Sequence, residues 1–557
     1  MAARLTAFVV VAIVAVTLIA GLIVGAQRDD SDGPVDVIVH NARVYTADSA
    51  GRTAEAVAIR GNQILRVGSD REISRLKRPQ TTMIDAKGAT VLPGFNDARV
   101  DFVDGGAAMD RIDLLDASEL DDLEHRVSDW AEANPDQPWV LGHGWHRELF
   151  PDGRPTRQLL DRLVPTRPAR LLSADGRTAW VNTKALRLAK ITRKTASPAH
   201  GSVVRDARTG EPTGLLEGSA VALVDRLLPP PTDGDRERAL RTAIATAHRL
   251  GVTSVQDIAD GPDDLAAYAS ARRTGDLHVR VYAALPVVSD LADAELDRLE
   301  LTTRKYPDDP LLKAGAVSVP LNRGAAMPHL GGEMSDDASI FDADTLNRLV
   351  RRLDARGWQI LTEAATELSA RMAVNAYEHA VRSNPDRIGE RRHRVEHLEA
   401  IGDEELGRFG SLGLLASLRP FDSRAASDTA SAIDRSGLAR RVLTAHGRLV
   451  MGSGWPSAPL DPLAGLNAIA GPAAAADPDD DAARLSLKAA IDAYTSGAAW
   501  ASFDEQRKGI IAPGMLADLV VLSDDILAKP TSLQGAHVEV TIFDGKVVFR
   551  RSERATN

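Results

Sequence analysis

The sequence predicts an α/β fold: a large parallel βα unit, at this size a barrel with insertions, and a small β unit made from both chain ends. Three observations carry that reading. Across residues 94–509, short apolar runs alternate with amphipathic stretches. Thr253-Ser254-Val255 follows a helical pattern near 241–250, and Trp358 to Leu361 follows another near 346–356. Both ends of the chain instead carry strand-length runs separated by two-residue turn signals. Finally, 557 residues with 44% hydrophobic and 26% charged side chains suffice for a sizeable core and exclude a disordered or fibrous chain.

Taken in order, the chain opens on residues 5–26, an uncharged aliphatic stretch preceded by Arg4. A helix of that length rises about 33 Å, enough to span a bilayer, whereas the apolar region of a cleaved signal peptide runs about 7–15 residues. An uncleaved anchor over residues 1–27 is therefore the expectation, with Val24-Gly25-Ala26 as the cleavage site if the segment is removed. Both alternatives place the body outside the cytoplasm, and the uncleaved one makes this a single-pass protein of the cell membrane. Residues 28–34 form a polar tether.

Val35, Val37 and Val39 then alternate with polar residues as in a half-buried strand. The runs at 55–60 and 63–68 flank Gly61-Asn62, a hairpin signal, and a further strand ends at Pro93-Gly94. The C-terminus mirrors this, with Leu519 to Leu522 and a hairpin of 538–543 with 546–550 across Asp544-Gly545. Residues 35–93 plus 510–553 thus predict one composite sandwich, and 94–509 the barrel. Pro229-Pro230-Pro231 and the run 473–483 read as exposed loops. A net charge of −11 gives no reason to expect nucleic acid. The absence of cysteine excludes disulfides, thiolate metal sites and a Cys nucleophile.

Specific runs then narrow the fold. They are Val91 to Ala98 (VLPGFNDA), Gly144-Trp145, Arg154-Pro155-Thr156-Arg157, Asp175-Gly176 followed by Ala179-Trp180-Val181-Asn182, Gly251 to Val255, and Arg394-Val395-Glu396-His397. Later come Gly452-Ser453 with Trp455-Pro456, Pro459-Leu460-Asp461-Pro462, and Ala512-Pro513-Gly514 with Ala517 to Val520. In number, order and spacing this chain resembles the amidohydrolase superfamily, and within it the amidohydrolase-3 subgroup of N-substituted formamide deformylase-like hydrolases. The resemblance implies a (β/α)8 barrel of the TIM type, an inserted domain at about 105–220 and the flanking sandwich. Barrels of this superfamily often dimerise, which leaves a homodimer open without fixing the oligomeric state.

The family's chemistry is mostly replaced. Its first strand carries His-x-His, two imidazoles on one face that hold a divalent metal; here Arg99 and Asp101 stand in those places. Arginine offers no lone pair and keeps its charge, so Arg99 repels a metal. Ser318 occupies the position of the bridging Lys, and Glu363 that of a further His ligand. Arg177 replaces the His of an Asp-Gly-His run in the inserted region. Gly454 replaces the Asp that, by the resemblance, is both metal ligand and general base. His397 alone survives from the ligand set. Its two readings are a hydrogen-bonded structural histidine and a remaining ligand.

Arg99, Arg177, Asp101 and Glu363 sum to zero charge and would line one concave site, an ion-pair network in the space of a metal cluster. His143 and His146 lie three apart, a spacing a helix could use for a metal, but Gly142 and Gly144 argue against a helix there, and the two are read as loop residues. Lys313 is out of register with the vanished Lys and reads as a surface residue. Two function classes follow. The first is a membrane-anchored, non-catalytic relative without cofactor, binding an anionic or zwitterionic envelope metabolite or supporting an envelope-assembly protein. The second is a hydrolase of non-peptide C–N bonds with one divalent metal on Asp101, Glu363 and His397.

Overall fold

The computed structural model describes residues 34–174, 176–306, 309–321, 340–421, 429–471 and 485–552. The expected anchor and most of its tether lie outside those residues, as does the whole run 473–483. Among the described residues no helix is long and apolar enough to cross a membrane.

Both chain ends build the sandwich. One sheet has four strands in the order Gln63–Gly68, Ala56–Arg60, Val37–His40 and Thr82–Asp85. The other has six, and in it Leu519–Leu522 runs antiparallel to Thr90–Pro93, joining the C-terminal strands to the N-terminal ones. Alternation sends Val37, Val39, Val57 and Ile59 from the first sheet and Val44, Val91, Leu519, Val521 and Ile542 from the second into one core. The hairpin Val538–Phe543 with Lys546–Arg550 turns at Asp544 (φ 50°) and Gly545 (φ 76°). Two successive positive φ values give the turn whose twist matches the strands, which is why Asp-Gly stands there.

Eight parallel strands form the barrel: β1 (Phe95–Val100), β2 (Val252–Ile258), β3 (Arg280–Pro286), β4 (Leu312–Pro320), β5 (Gln359–Glu363), β6 (Arg394–Glu396), β7 (Leu415–Leu418) and β8 (Arg448–Met451). Seven neighbouring pairs are laddered in parallel. Beyond the end of β8 the chain returns to β1. Gly454 N–H donates to Arg99 O at 2.9 Å, and Asp101 N–H to Trp455 O at 2.8 Å, so the barrel is nearly closed. A Cβ at Gly452 would stand 2.6 Å from Arg99 N, so only glycine lets the two strands approach.

Helices cover the outside. α1 (Phe102–Met109) packs on α2 (Asp233–Arg249) so closely that a Cβ at Gly106 would lie inside contact distance of Ala239 O. α3 (Ala343–Ala355) buries Leu346, Leu349, Val350 and Leu353, the spacing of one helical stripe. α4 (Glu367–Ser383) follows β5, and α5 (Pro462–Ala470) follows β8. Asp461, read from sequence as part of a scaffold motif, is the cap of α5. Its carboxylate accepts from Leu463 N at 2.9 Å and Ala464 N at 3.2 Å, with Pro462 at the first helical position. Asp461→Ala is expected to cost about 1 kcal/mol in urea unfolding of the purified chain; an unchanged midpoint would show the cap to be idle.

The inserted unit is a six-stranded sheet running from Gly201–Arg205 at one edge to Ile112–Asp113 at the other. Trp145, Phe150 and Trp180 meet edge to face at its core, with ring centroids 5.2 to 6.4 Å apart. The indole N–H groups donate to Leu171 O and Thr156 O, so no polar atom of these rings is stranded. His143 lies within the strand Val140–Trp145, not in a loop. Glycines on either side are tolerated because Gly142 and Gly144 pack against Leu171, Ile112 and Leu115 where a side chain would collide.

Candidate functional site

Strand alternation decides what faces the barrel interior. On β5, Ile360 joins the helix-facing core and the Thr362 hydroxyl meets Tyr377 of α4, so Gln359, Leu361 and Glu363 point inward. Arg99 of β1 reaches across to Glu363: Nε and Nη2 lie 3.1 and 2.7 Å from Oε1. Its third branch, Nη1, lies 3.2 Å from Asp101 Oδ2. One guanidinium therefore ties the end of β1 to the end of β5.

Deeper in the barrel, Arg394 pairs with Glu396 at 2.5 Å, and both are fully buried. Arg394 also donates to Ala98 O and to the side chain of Gln256. Above them lies Arg419, just past β7. A Cβ built at Gly454 would sit 2.7 Å from Arg419 Nε and 2.8 Å from Cζ. The guanidinium thus lies over the bare backbone of Gly454, at φ 70°. Three arginines (Arg99, Arg394, Arg419) face three carboxylates (Asp101, Glu363, Glu396), and the cluster is formally neutral.

The proton affinities follow from this packing. Burial pushes the Glu363 carboxyl up, but Arg99, Arg419 and His397 pull harder and hold it below the usual range. Burial wins at Asp101, whose carboxyl is raised in spite of Arg99. Burial and the neighbouring Arg99 lower the Arg419 guanidinium to about 10. Asp97, buried beneath the site, is pushed up to about 6 by burial against hydrogen bonds from Ser453 N and Arg99 N.

His397 follows β6 at φ 54°, with Nε2 2.8 Å from Glu399 Oε1. Burial and Arg419 lower its pKa. Its side chain keeps 23% exposure and that of Asp101 19%, which marks the side of the cluster open to solvent. Ser318 is buried on β4 beside Leu361 of β5, inside the barrel.

Two sequence readings change here. Arg177 is exposed on the turn before the inserted strand Thr178–Val181 and is not a partner of Arg99, whose partners are Asp101 and Glu363. The second guanidinium of the mouth is Arg419. No sequence signal marked it, because its place depends on the loop after β7 meeting the loop after β8. Lys313 is not a surface residue: it is buried, and Nζ donates to Ser502 O at 3.0 Å and Asp504 Oδ1 at 2.9 Å. A long aliphatic stem lets its charged end reach acceptors at the barrel base. His143 and His146 do not converge, since His146 Nε2 is 3.0 Å from Leu115 O while His143 Nε2 is 3.8 Å from Asp113 Oδ1.

The donor set does not fit a divalent metal. Among the described residues no three His, Asp or Glu side chains gather where one ion could be held. Glu363 and Asp101 instead share Arg99, and Arg419 covers Gly454. A cation placed there would meet two guanidiniums.

Comparisons with known proteins now bear on this geometry. The sequence profile of the amidohydrolase family matches residues 82–549. The putative amidohydrolase YtcJ of Bacillus subtilis (strain 168) is 29% identical over 538 residues, covering 92% of this chain and 99% of that protein. The N-substituted formamide deformylase of Arthrobacter pascens is 26% identical, covering 93% and 99%. Among solved structures, an uncharacterized metal-dependent hydrolase from Pyrococcus furiosus superposes with a TM-score of 0.65 at 22% identity, covering 86% of this chain and 97% of that one. That likeness speaks to the fold.

Proposed function

This chain belongs to the amidohydrolase family, in the subgroup of its deformylase-like relatives, and from that premise we propose that its catalytic centre has been exchanged for a neutral ion-pair cluster. On this reading the protein is a membrane-anchored binding or scaffold component of the cell envelope and not a metal-dependent hydrolase. The observation that carries the proposal is the fork of Arg99 on Glu363 and Asp101. Hydrolysis of a C–N bond needs an activated water and a base in contact with it. Asp101 and Glu363 have their charge committed to Arg99, and the position of the family's base is Gly454. Random loss would leave small or apolar residues there. Paired charges instead preserve the junction between strands.

The second reading keeps the family's chemistry. A relative named N-substituted formamide deformylase, aligned end to end, favours a hydrolase of non-peptide C–N bonds with one metal on Asp101, Glu363 and His397. It requires Arg99 to leave Glu363. Metal content separates the two. The purified full-length chain, exposed to Zn²⁺, Mn²⁺ and Fe²⁺ and then desalted, is expected to retain less than about a tenth of an equivalent by plasma mass spectrometry. One tight equivalent, lost on His397→Ala, would establish the hydrolase reading in its place.

A further inference from the structure

The charges of the barrel mouth are unequally used. Arg99 places all three of its branches on Glu363 and Asp101, and Arg394 is paired with Glu396. Arg419 makes no hydrogen bond or ion pair with any described residue, and its Nε is buried without an acceptor. Glu363 Oε2 is its counterpart, a buried acceptor without a donor in the same cluster. A buried charge left without a hydrogen-bond partner is costly, and each such group calls for an explanation. Arg394 Nε and both Glu396 oxygens also lack a hydrogen bond, but Arg394 and Glu396 are in a close ion pair with each other. Arg419 Nε and Glu363 Oε2 are the two orphans of opposite sense outside that pair, beside the side chains of Asp101 and His397 that reach solvent.

We propose that Arg419 is the anion-recognition group of this barrel, and that the mouth takes a small hydroxy- or amino-carboxylate. The ligand carboxylate pairs with the Arg419 guanidinium, and its hydroxyl or amino group donates to Glu363 Oε2. A carboxylate matches the planar fork of arginine and supplies the hydrogen-bond acceptors that Arg419 lacks. A phosphate dianion suits the site less, because Asp101, Glu363 and Glu396 all act on Arg419 from nearby and would repel the second charge. This assignment moves anion binding away from Arg99, which is saturated, and from Arg177, which is exposed. It rests on the metal-free reading of the centre.

The test is calorimetric titration of the full-length chain with glycolate and glycine, using acetate, glycinamide and inorganic phosphate as matched controls. Glycolate or glycine is expected to bind saturably below about 10 mM, with acetate weaker for want of a donor and glycinamide silent for want of the carboxylate. Arg419→Gln is expected to weaken that binding about tenfold or more. Its ligand-free unfolding midpoint should stay close to that of the wild type, because no described residue loses a hydrogen bond or ion pair with it. The proposal is overturned if neither probe binds, if phosphate binds more tightly, or if Arg419→Gln binds as the wild type does. A loss of fold stability in Arg419→Gln would also overturn it, making the group structural. Metal content is measured separately on the same protein. A full equivalent of metal sinks the metal-free reading, whereas a metal-free chain that ignores both carboxylates sinks only this assignment.

Discussion

Arg99→Ala is expected to lower the stability of the chain by about 3–5 kcal/mol, read from urea unfolding at neutral pH. The size comes from what is left behind. Glu363 is almost fully buried and accepts two of the three bonds Arg99 makes, so removing the guanidinium strands a carboxylate inside the barrel. The double variant Arg99→Met with Glu363→Leu should recover much of the loss, since Asp101 reaches solvent and both buried charges are gone. The pH dependence has a definite sign. With Arg99 present the Glu363 carboxyl is held below its ordinary range. It therefore contributes stability above its unfolded pKa that is lost as the pH falls through the folded value. In Arg99→Ala burial dominates, the Glu363 pKa rises, and stability should increase on acidification instead. A single variant within about 0.5 kcal/mol of wild type, the range of an ordinary surface change, would mean that the fork does not hold in solution.

What the sequence disclosed and what it hid divide along physical lines. The hairpins across Gly61-Asn62 and Asp544-Gly545 were legible because a turn that needs positive φ leaves a local signature. Barrel strands such as β2 and β5 were legible as short apolar runs that follow helical stripes, and both are buried almost throughout. The exchange of ligands at Arg99, Glu363 and Gly454 could be located by motif position, since strand alternation had already set which side chains share the mouth. Arg419 could not. Nothing local distinguishes an arginine that lies over a distant glycine from one that points to water, and Gly454 reads simply as a lost aspartate. Arg177 misled for the converse reason: its motif is recognisable, yet the inserted sheet carries it on an exposed turn. Lys313 shows the same limit, for its burial is created by the segment around Ser502 and Asp504, which no pattern near Lys313 announces.

At the other end of the barrel, Arg280→Ala is expected to be as damaging, at about 3–5 kcal/mol, by loosening the sandwich from the barrel base. Arg280 opens β3, and its Nε and Nη2 grip Asp518 at 2.6 and 2.9 Å, immediately before the sandwich strand Leu519–Leu522. Nη2 also reaches Asp544 at 2.9 Å in the C-terminal hairpin turn, Nη1 reaches Pro310 O at 3.1 Å, and the guanidinium lies 4.9 Å from the Phe543 ring centroid. Asp518 is nearly as buried as its partner, so alanine at 280 leaves it with one backbone donor, Asp544 N. Arg280→Lys should rescue little, because a point ammonium cannot make the two-pronged bond and the second carboxylate contact together. Limited proteolysis supplies the local readout, with faster cleavage between residues 510 and 552 in Arg280→Ala than in wild type. A variant that loses stability uniformly, with no preferential cleavage there, would show that Arg280 holds the barrel and not the seam. Arg280 and Arg419 stand at opposite ends of parallel strands and share no partner, so their effects should add. Carboxylate affinity measured on folded Arg280→Ala should therefore match wild type, which separates the part of the chain that keeps it folded from the part that reads a ligand.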